Sequence, residues 1–234
     1  MGIWQLRRIT PARLKHQLLN QMRDSGYRLA TYSGVDFGEP QLRVYEYLCD
    51  FFEELKNVPG MVVECGYGYG SSFLCLASIA SKEERGLWAF DSFQGFPDPT
   101  QEDLSPRNAR RGEWNHRSRQ EALDQIRRFG LPPAYVENRV RLVPGFVEET
   151  LQKNLPTDPI AFLHIDLDLY SAYKCSLEQL FPLVAEGGIV LFDEYEYIET
   201  WPGAKLAVDE YFRDLPYTVL QHKSGKYFVR KTSR

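Results

Sequence analysis

Two apolar runs dominate the hydrophobic pattern of the chain, Ile160–Ile165 and Gly188–Phe192, and each ends in acids: Asp166 and Asp168 after the first, Asp193 and Glu194 after the second. Short continuous apolar runs bounded by turn signals read as strands buried on both faces. Between them, from Ser171 to Ala185, apolar residues recur at Leu177, Leu180, Phe181 and Val184, which is helical spacing. Gly187-Gly188 reads as a helix stop and a turn back into the sheet. The unit is strand, helix, parallel strand, so both acid clusters fall at the carboxyl ends of neighbouring strands. That edge is where open α/β sheets bind ligands.

The same reading extends in both directions. A helix is predicted over Pro11–Asp24, with Thr10 as N-cap and Pro11 at its first position, and a second over Pro40–Leu55. The aperiodic, Gly- and Tyr-rich stretch from Tyr27 to Pro40 lies between them as a loop. Met61–Cys65 is the first core strand, followed by Gly66-Tyr67-Gly68-Tyr69-Gly70 and a helix over Ser71–Ser81. Gly86–Phe90 is the second strand and ends at Asp91. Pro97–Arg117 is polar, has no apolar period, and carries Trp114 and His116; it is a lid candidate, with a merely disordered loop as the alternative. A helix over Gln120–Phe129 stops at Gly130 and Pro132. A strand at Val140–Val143 leads through Pro144-Gly145-Phe146 into a helix over Val147–Leu151. A helix from Trp201 to about Arg213 precedes a terminal antiparallel hairpin, Tyr217–Gln221 and Lys226–Lys231, turning at Ser224-Gly225. With no repeat or linker, residues 1–234 read as one domain: a helical region to residue 58, an α/β core from 59, and a lid at about 97–117.

Composition narrows the classes. At 43% hydrophobic residues the 234-residue chain has enough apolar material for a full core. No apolar run approaches the roughly 18 residues of a membrane span, and the amino terminus has no signal-peptide pattern. Cys49, Cys65, Cys75 and Cys175 show no CxxC spacing and read as free thiols in a reducing cytosol, which places the protein in the cytoplasm. A net charge of −4 argues against nucleic acid as the main partner. The expected partner is a small molecule, with no membrane and with a homo-oligomer open.

Strand, glycine turn and helix make a cofactor cradle. Glu64-x-Gly66-x-Gly68-x-Gly70 puts an acid before the first glycine and lacks the GxGxxG that brings a helix terminus onto a pyrophosphate. S-adenosylmethionine has no phosphate. It needs a close backbone approach and an acid near its sulfonium and aminopropyl group, which this loop offers. The candidate cofactor residues are Glu64, Gly66, Tyr67, Gly68, Gly70 and Ser71, with Asp91 placed for ribose hydroxyls beside Ser92, capping of the Ser92–Pro97 turn being its alternative role. Gly145 and Phe146 face the adenine from the next strand end, and Asp166 closes the set. Four carboxylates at one sheet edge repel one another, and a hard divalent cation with oxygen ligands, such as Mg2+, would relieve them; helix capping or solvation is the alternative. His164 reads as a hydrogen-bonded core residue.

ECGYGYGSS, FDSFQGFP, VRLVPGFVEETL, HIDLDLYSAYKCSLEQLFPLVAEGGIVLFDEY and WPGAKLAVDEYF resemble, in this order, segments of the macrocin-type O-methyltransferases. The resemblance covers roughly residues 40–230, and its DSFxGxP and DLDLY segments are more specific than the glycine loop. It implies the class I methyltransferase fold: a Rossmann-like, mostly parallel seven-stranded sheet with a terminal antiparallel hairpin and helices on both faces. It also implies S-adenosyl-L-methionine and a divalent ion, usually Mg2+, in methylation of sugar hydroxyls of natural products. By the same resemblance Asp166, Asp193 and Glu194 are metal ligands and Asp168 the general base. The family usually has Asp-Asp at the position of Asp193-Glu194, and often Trp-Arg at that of Gly68-Tyr69.

The residues support such chemistry without the name. A sugar hydroxyl is barely acidic, so a metal ion to lower its pKa and a carboxylate to take its proton are what the reaction needs. If the strand ends at Asp166, the chain splays Asp166 and Asp168 into these two catalytic roles. A catechol-like phenol is the alternative acceptor. A non-catalytic cofactor-binding scaffold and a nucleotide-sugar dehydrogenase are the alternative functions; the full set of acids argues against the first and the absent GxGxxG against the second.

Overall fold

The computed structural model describes residues 39–232. The predicted helix Pro11–Asp24 lies outside them, as does the predicted loop from Tyr27 as far as residue 38; its last two residues, Glu39 and Pro40, are helical. Helix α1 (Glu39–Glu54) leads into β1 (Met61–Cys65), α2 (Ser71–Lys82), β2 (Leu87–Asp91), α3 (Arg119–Arg128), α4 (Pro133–Arg139), β3 (Val140–Pro144) and α5 (Val147–Thr150). There follow β4 (Ile160–Ile165), α6 (Tyr170–Leu180), β5 (Val184–Phe192), α7 (Pro202–Phe212), and the short β6 (Leu220–Gln221) and β7 (Tyr227–Arg230).

The strands form one seven-stranded sheet in the order β3-β2-β1-β4-β5-β7-β6. The first five are parallel, and β7 runs antiparallel between β5 and β6. Strand alternation divides the core. Val62, Leu87, Ala89, Leu142, Phe162, Ile189 and Leu191 face α1–α4. Val63, Cys65, Phe90, Val143, Leu163, Ile165, Val190 and Phe192 face α5–α7. Every residue of β1 and β4 is buried, as expected for parallel strands covered on both faces. The chain steps outward from β1 to β3 and then returns to β4 on the other side of β1. This makes β1/β4 the switch point at which a ligand crevice opens.

Three local readings need correction. The helix after Asp168 ends at Leu180, not Ala185, and a 3-10 turn over Phe181–Leu183 follows. Pro182 ends it, since proline has no N–H to donate to the preceding turn of an α-helix. Consequently β5 begins at Val184, and Gly187-Gly188 lies inside the strand. There Gly187 takes φ +80°, and the register against β4 jumps from Ile160↔Val184 to Phe162↔Ile189, a bulge of the kind glycine permits. Helix α4 was not foreseen; Pro133 opens it at a first helical position.

The polar segment 97–117 packs on the structure. It carries a 3-10 turn, Gln101–Asp103. Phe96 N–H donates to the Glu113 carbonyl at 2.9 Å and Gly112 N–H to the Phe96 carbonyl at 3.0 Å. The Ser105 hydroxyl donates to the Thr200 carbonyl at 2.9 Å.

Candidate active site

The ladder hydrogen bonds carry the sheet up to its ligand edge. Gly66 N–H donates to the Phe90 carbonyl at 2.8 Å, Asp166 N–H to Cys65 at 2.9 Å and Asp193 N–H to Ile165 at 3.0 Å. Gly66, Asp166 and Asp193 therefore follow β1, β4 and β5 in rigid register. The approach between the first two is close: a Cβ at Gly66 would lie 1.8 Å from the Asp166 carbonyl oxygen, and Gly66 has φ +98°. Gly68 has open space beside it, so the glycine loop leaves room where a ligand backs onto it.

A cleft of about 470 Å3 opens along this edge, within the roughly 300–1,000 Å3 of small-molecule sites. Gly66, Tyr67, Gly68, Ser71, Asp91, Ser92, Phe146, Asp166 and Asp168 line it. The other candidates, Glu64, Gly70, Gly145, Asp193 and Glu194, are not among the residues that line it. Sequence reading did not single out Tyr69, Phe96 or Glu148 as site residues, yet they line the same cleft, as do Trp114 and His116 from the lid candidate. Tyr69 stacks on His116 with centroids 3.7 Å apart, and Arg117 Nε donates to the Tyr69 carbonyl at 3.3 Å. The glycine loop and the polar segment thus meet across the cleft.

Asp91, read for ribose hydroxyls, is bonded to the backbone of both the glycine loop and the turn that follows it. Its Oδ2 accepts from Tyr67 N–H at 2.7 Å and Gly68 N–H at 3.1 Å, and its Oδ1 from Phe93 N–H at 2.6 Å. The Tyr67 ring turns inward, its hydroxyl 2.9 Å from Gln125 Oε1. Glu64 is fully buried, and its Oε1 lies 2.8 Å from His164 Nδ1, the two residues being register partners across β1 and β4. Burial pushes the Glu64 carboxyl up, against the pull of His164. Burial alone would lower the His164 imidazole, but the hydrogen bond and charge of Glu64, with Asp166 and Asp193 beyond, leave it raised. Its Nε2 is buried without a hydrogen-bond partner.

The four acids converge in two overlapping groups. Ligand atoms of His164, Asp166 and Asp193 lie within 4.8 Å of one another, and so do those of Asp166, Asp168 and Glu194. Asp166 is common to both. Burial, then the charge of Asp193, pushes the Asp166 carboxyl up to about 7. Burial and the charges of Asp166 and Asp193 hold Asp168 well above the carboxylate range, with Arg107 pulling the other way. Glu194 is likewise raised well above its usual value by burial and by Asp168, Asp166 and Asp193. Its side chain accepts a short hydrogen bond from the buried Tyr173 hydroxyl. Asp193 differs: burial would raise it, but the charge of Lys226 leads a set of neighbours that carries it below its usual value. Lys226 Nζ lies 2.9 Å from Asp193 Oδ1 and was not foreseen, being 33 residues away in sequence. An oxygen-rich set in which burial and then mutual charge push Asp166, Asp168 and Glu194 toward neutrality, while Lys226 holds Asp193 below its usual value, fits a divalent cation. The cradle of Gly66 and Gly68 beside Asp91 fits an adenosyl cofactor.

A seven-stranded sheet in this order, with the crevice at β1/β4, a glycine loop after β1, an acid at the end of β2 and acids after β4 and β5, is the class I methyltransferase fold. The chain belongs to the macrocin-O-methyltransferase (TylF) family, whose model matches residues 37–217. It is 34% identical over 163 residues to demethyldecarbamoylnovobiocin O-methyltransferase of Streptomyces niveus, spanning 67% of this chain and 59% of the relative. It is 30% identical over 146 residues to 8-demethyl-8-(2,3-dimethoxy-alpha-L-rhamnosyl)-tetracenomycin-C 4'-O-methyltransferase of Streptomyces olivaceus, spanning 59% of this chain and 54% of the relative. Among solved structures, the O-methyltransferase NovP superposes with a TM-score of 0.69 at 30% identity, covering 82% of this chain and 80% of that one.

Proposed function

We propose that this chain transfers a methyl group from S-adenosyl-L-methionine to a hydroxyl on a sugar or glycosylated natural product, with a divalent cation, Mg2+ in the first instance, at the acid cluster. The observation that carries this reading is the single cleft joining the glycine loop to Asp166 and Asp168. The names of the relatives support a natural-product acceptor, one of them bearing a rhamnosyl group. When bound, the cofactor supplies an electrophilic methyl whose bonding pair stays on sulfur, and the cation supplies charge that lowers the pKa of the acceptor hydroxyl.

The chain supplies the rest. Gly66, Tyr67, Gly68 and Ser71, which line the cleft, would offer backbone and hydroxyl contacts to the cofactor, Asp91 and Ser92 would serve its ribose hydroxyls, and Phe146 would serve its adenine. Glu64 and Gly70 shape the loop from behind. Asp166, Asp193 and Glu194 would hold the cation, His164 standing next to them. Asp168, which lines the cleft, takes the hydroxyl proton onto its carboxylate as general base. The whole chain acts as one catalytic unit, with 97–117 as its cover.

The test is transfer of labelled methyl from S-adenosylmethionine to a panel of glycosylated natural products, nucleotide sugars and catechols, with and without chelator. Transfer to a sugar hydroxyl that stops in chelator, while S-adenosylhomocysteine still binds by calorimetry, is expected. Transfer undiminished in excess chelator removes the cation, and transfer to catechols alone removes the sugar acceptor.

A further inference from the structure

Asp168 sits on a backbone that ordinary residues avoid. Its φ is +63°, and Leu169 N–H donates across it to the Leu167 carbonyl at 2.7 Å. An i→i+2 hydrogen bond around a positive φ is a γ-turn of the rare, strained kind, and such strain persists only when its surroundings over-determine it. On the near side the turn is tied by Asp166 N–H to the Cys65 carbonyl at 2.9 Å. On the far side the next residue but one, Tyr170, opens helix α6, whose N-cap residue Leu169 provides no side-chain cap.

The far side is held by a residue 67 positions earlier. Asp103, only 6% exposed, accepts the Tyr170 N–H on Oδ1 at 2.8 Å. Its Oδ2 accepts from Thr100 N–H at 2.8 Å and the Thr100 hydroxyl at 3.0 Å. A carboxylate on the first amide of a helix also meets the positive end of the helix dipole. The seat is built for it: a Cβ at Gly203, in the first turn of α7, would lie 2.0 Å from Asp103 Oδ1. The same segment brings Arg107 toward Asp168. That guanidinium pairs with Glu113 at 2.7 Å and lies 5.3 Å and 5.0 Å from the ring centroids of Trp114 and Trp201.

We infer that Asp103 is a positioning residue for methyl transfer: it clamps the Tyr170 amide so that the strained turn presents Asp168 to the acceptor. This rests on the reading of Asp168 as the base. It gives segment 97–117 a part in catalysis in addition to covering the cleft. A misplacement of about 1 Å at a reacting group costs on the order of 100-fold in rate, which sets the scale expected for losing the clamp.

The test is a double-mutant cycle between Asp103→Ala and Asp168→Asn, read as kcat, acceptor KM and calorimetric affinity for S-adenosylhomocysteine. Asp103→Ala is expected to lower kcat about 10- to 100-fold, with KM and cofactor affinity within about twofold. In the Asp168→Asn background it is expected to cost nothing further. Asp103→Asn, which keeps an acceptor for the Tyr170 amide, should recover most of the rate, and Gly203→Ala, which fills the seat, should reproduce the slow enzyme. If Asp103→Ala does not fold, the cycle is read with Gly203→Ala. An equal loss in both backgrounds, or a loss confined to KM, overturns the positioning role while leaving Asp168 as base. An Asp168→Asn enzyme as fast as the wild type overturns the base reading instead.

Discussion

A carboxylate has room for about four hydrogen bonds, and Asp91 has filled three with backbone amides of Tyr67, Gly68 and Phe93. It shapes the glycine loop as well as facing the cleft. Asp91→Ala should therefore weaken S-adenosylhomocysteine binding by about 1.5–3 kcal/mol, the range for a hydrogen-bonded charge, and speed amide exchange at Gly68. An unchanged calorimetric affinity would contradict the first part. The glycines beside it separate by what surrounds them. Gly66→Ala drives a methyl into the Asp166 carbonyl and should cost more than about 4 kcal/mol, an exceptional loss for one substitution. At Gly68, where nothing lies within 4 Å, only the positive φ opposes alanine, and about 1–2 kcal/mol is expected. Chemical denaturation of the two variants checks the contrast.

At the scale of elements, the terminal hairpin reaches into the site through Lys226, which lies 2.9 Å from Asp193 and 14% exposed. Lys226→Met should destabilise the fold by about 1–3 kcal/mol, less than a fully buried pair because Asp193 keeps partial access to water. Saturating Mg2+ should restore more stability to this variant than it adds to the wild type, because the cation then replaces a missing charge. Equal thermal shifts in both would count against a cation at Asp193. The elements themselves were largely legible, because buried parallel strands and amphipathic helices write their period into adjacent residues. Legibility failed where one residue type serves two ends. Gly187-Gly188 reads as a helix stop and is a strand bulge, and Pro132-Pro133 reads as a stop and opens α4. Of the site, the residues that directly follow β1, β2 and β4 could be found from local pattern and reach the cleft. The contacts of Lys226 with Asp193, Asp103 with Tyr170, and Tyr69 with His116 could not. Each joins segments far apart in sequence, and neither period nor motif encodes such a meeting.

For the whole molecule, the order β3-β2-β1-β4-β5-β7-β6 divides one sheet between two duties. Its parallel strands deliver acids and glycines to a common rim, and its antiparallel pair follows them at one side. Among the described residues no helix is long and apolar enough to cross a membrane, and the parallel strands are enclosed by helices on both faces. One flank depends on a single neighbour. Among the described residues, Ile189 to Phe192, four consecutive buried residues of β5, find their outer pairing only in Tyr227–Arg230 of β7. Without β7, the amides and carbonyls of this apolar stretch would stand open to a second chain, the arrangement that natural sheets guard against. The last strand is therefore a cap against self-templating as much as a part of the sheet. A chain shortened to residue 216 should stick to itself, seen as rising light scattering at concentrations where the full chain stays clear.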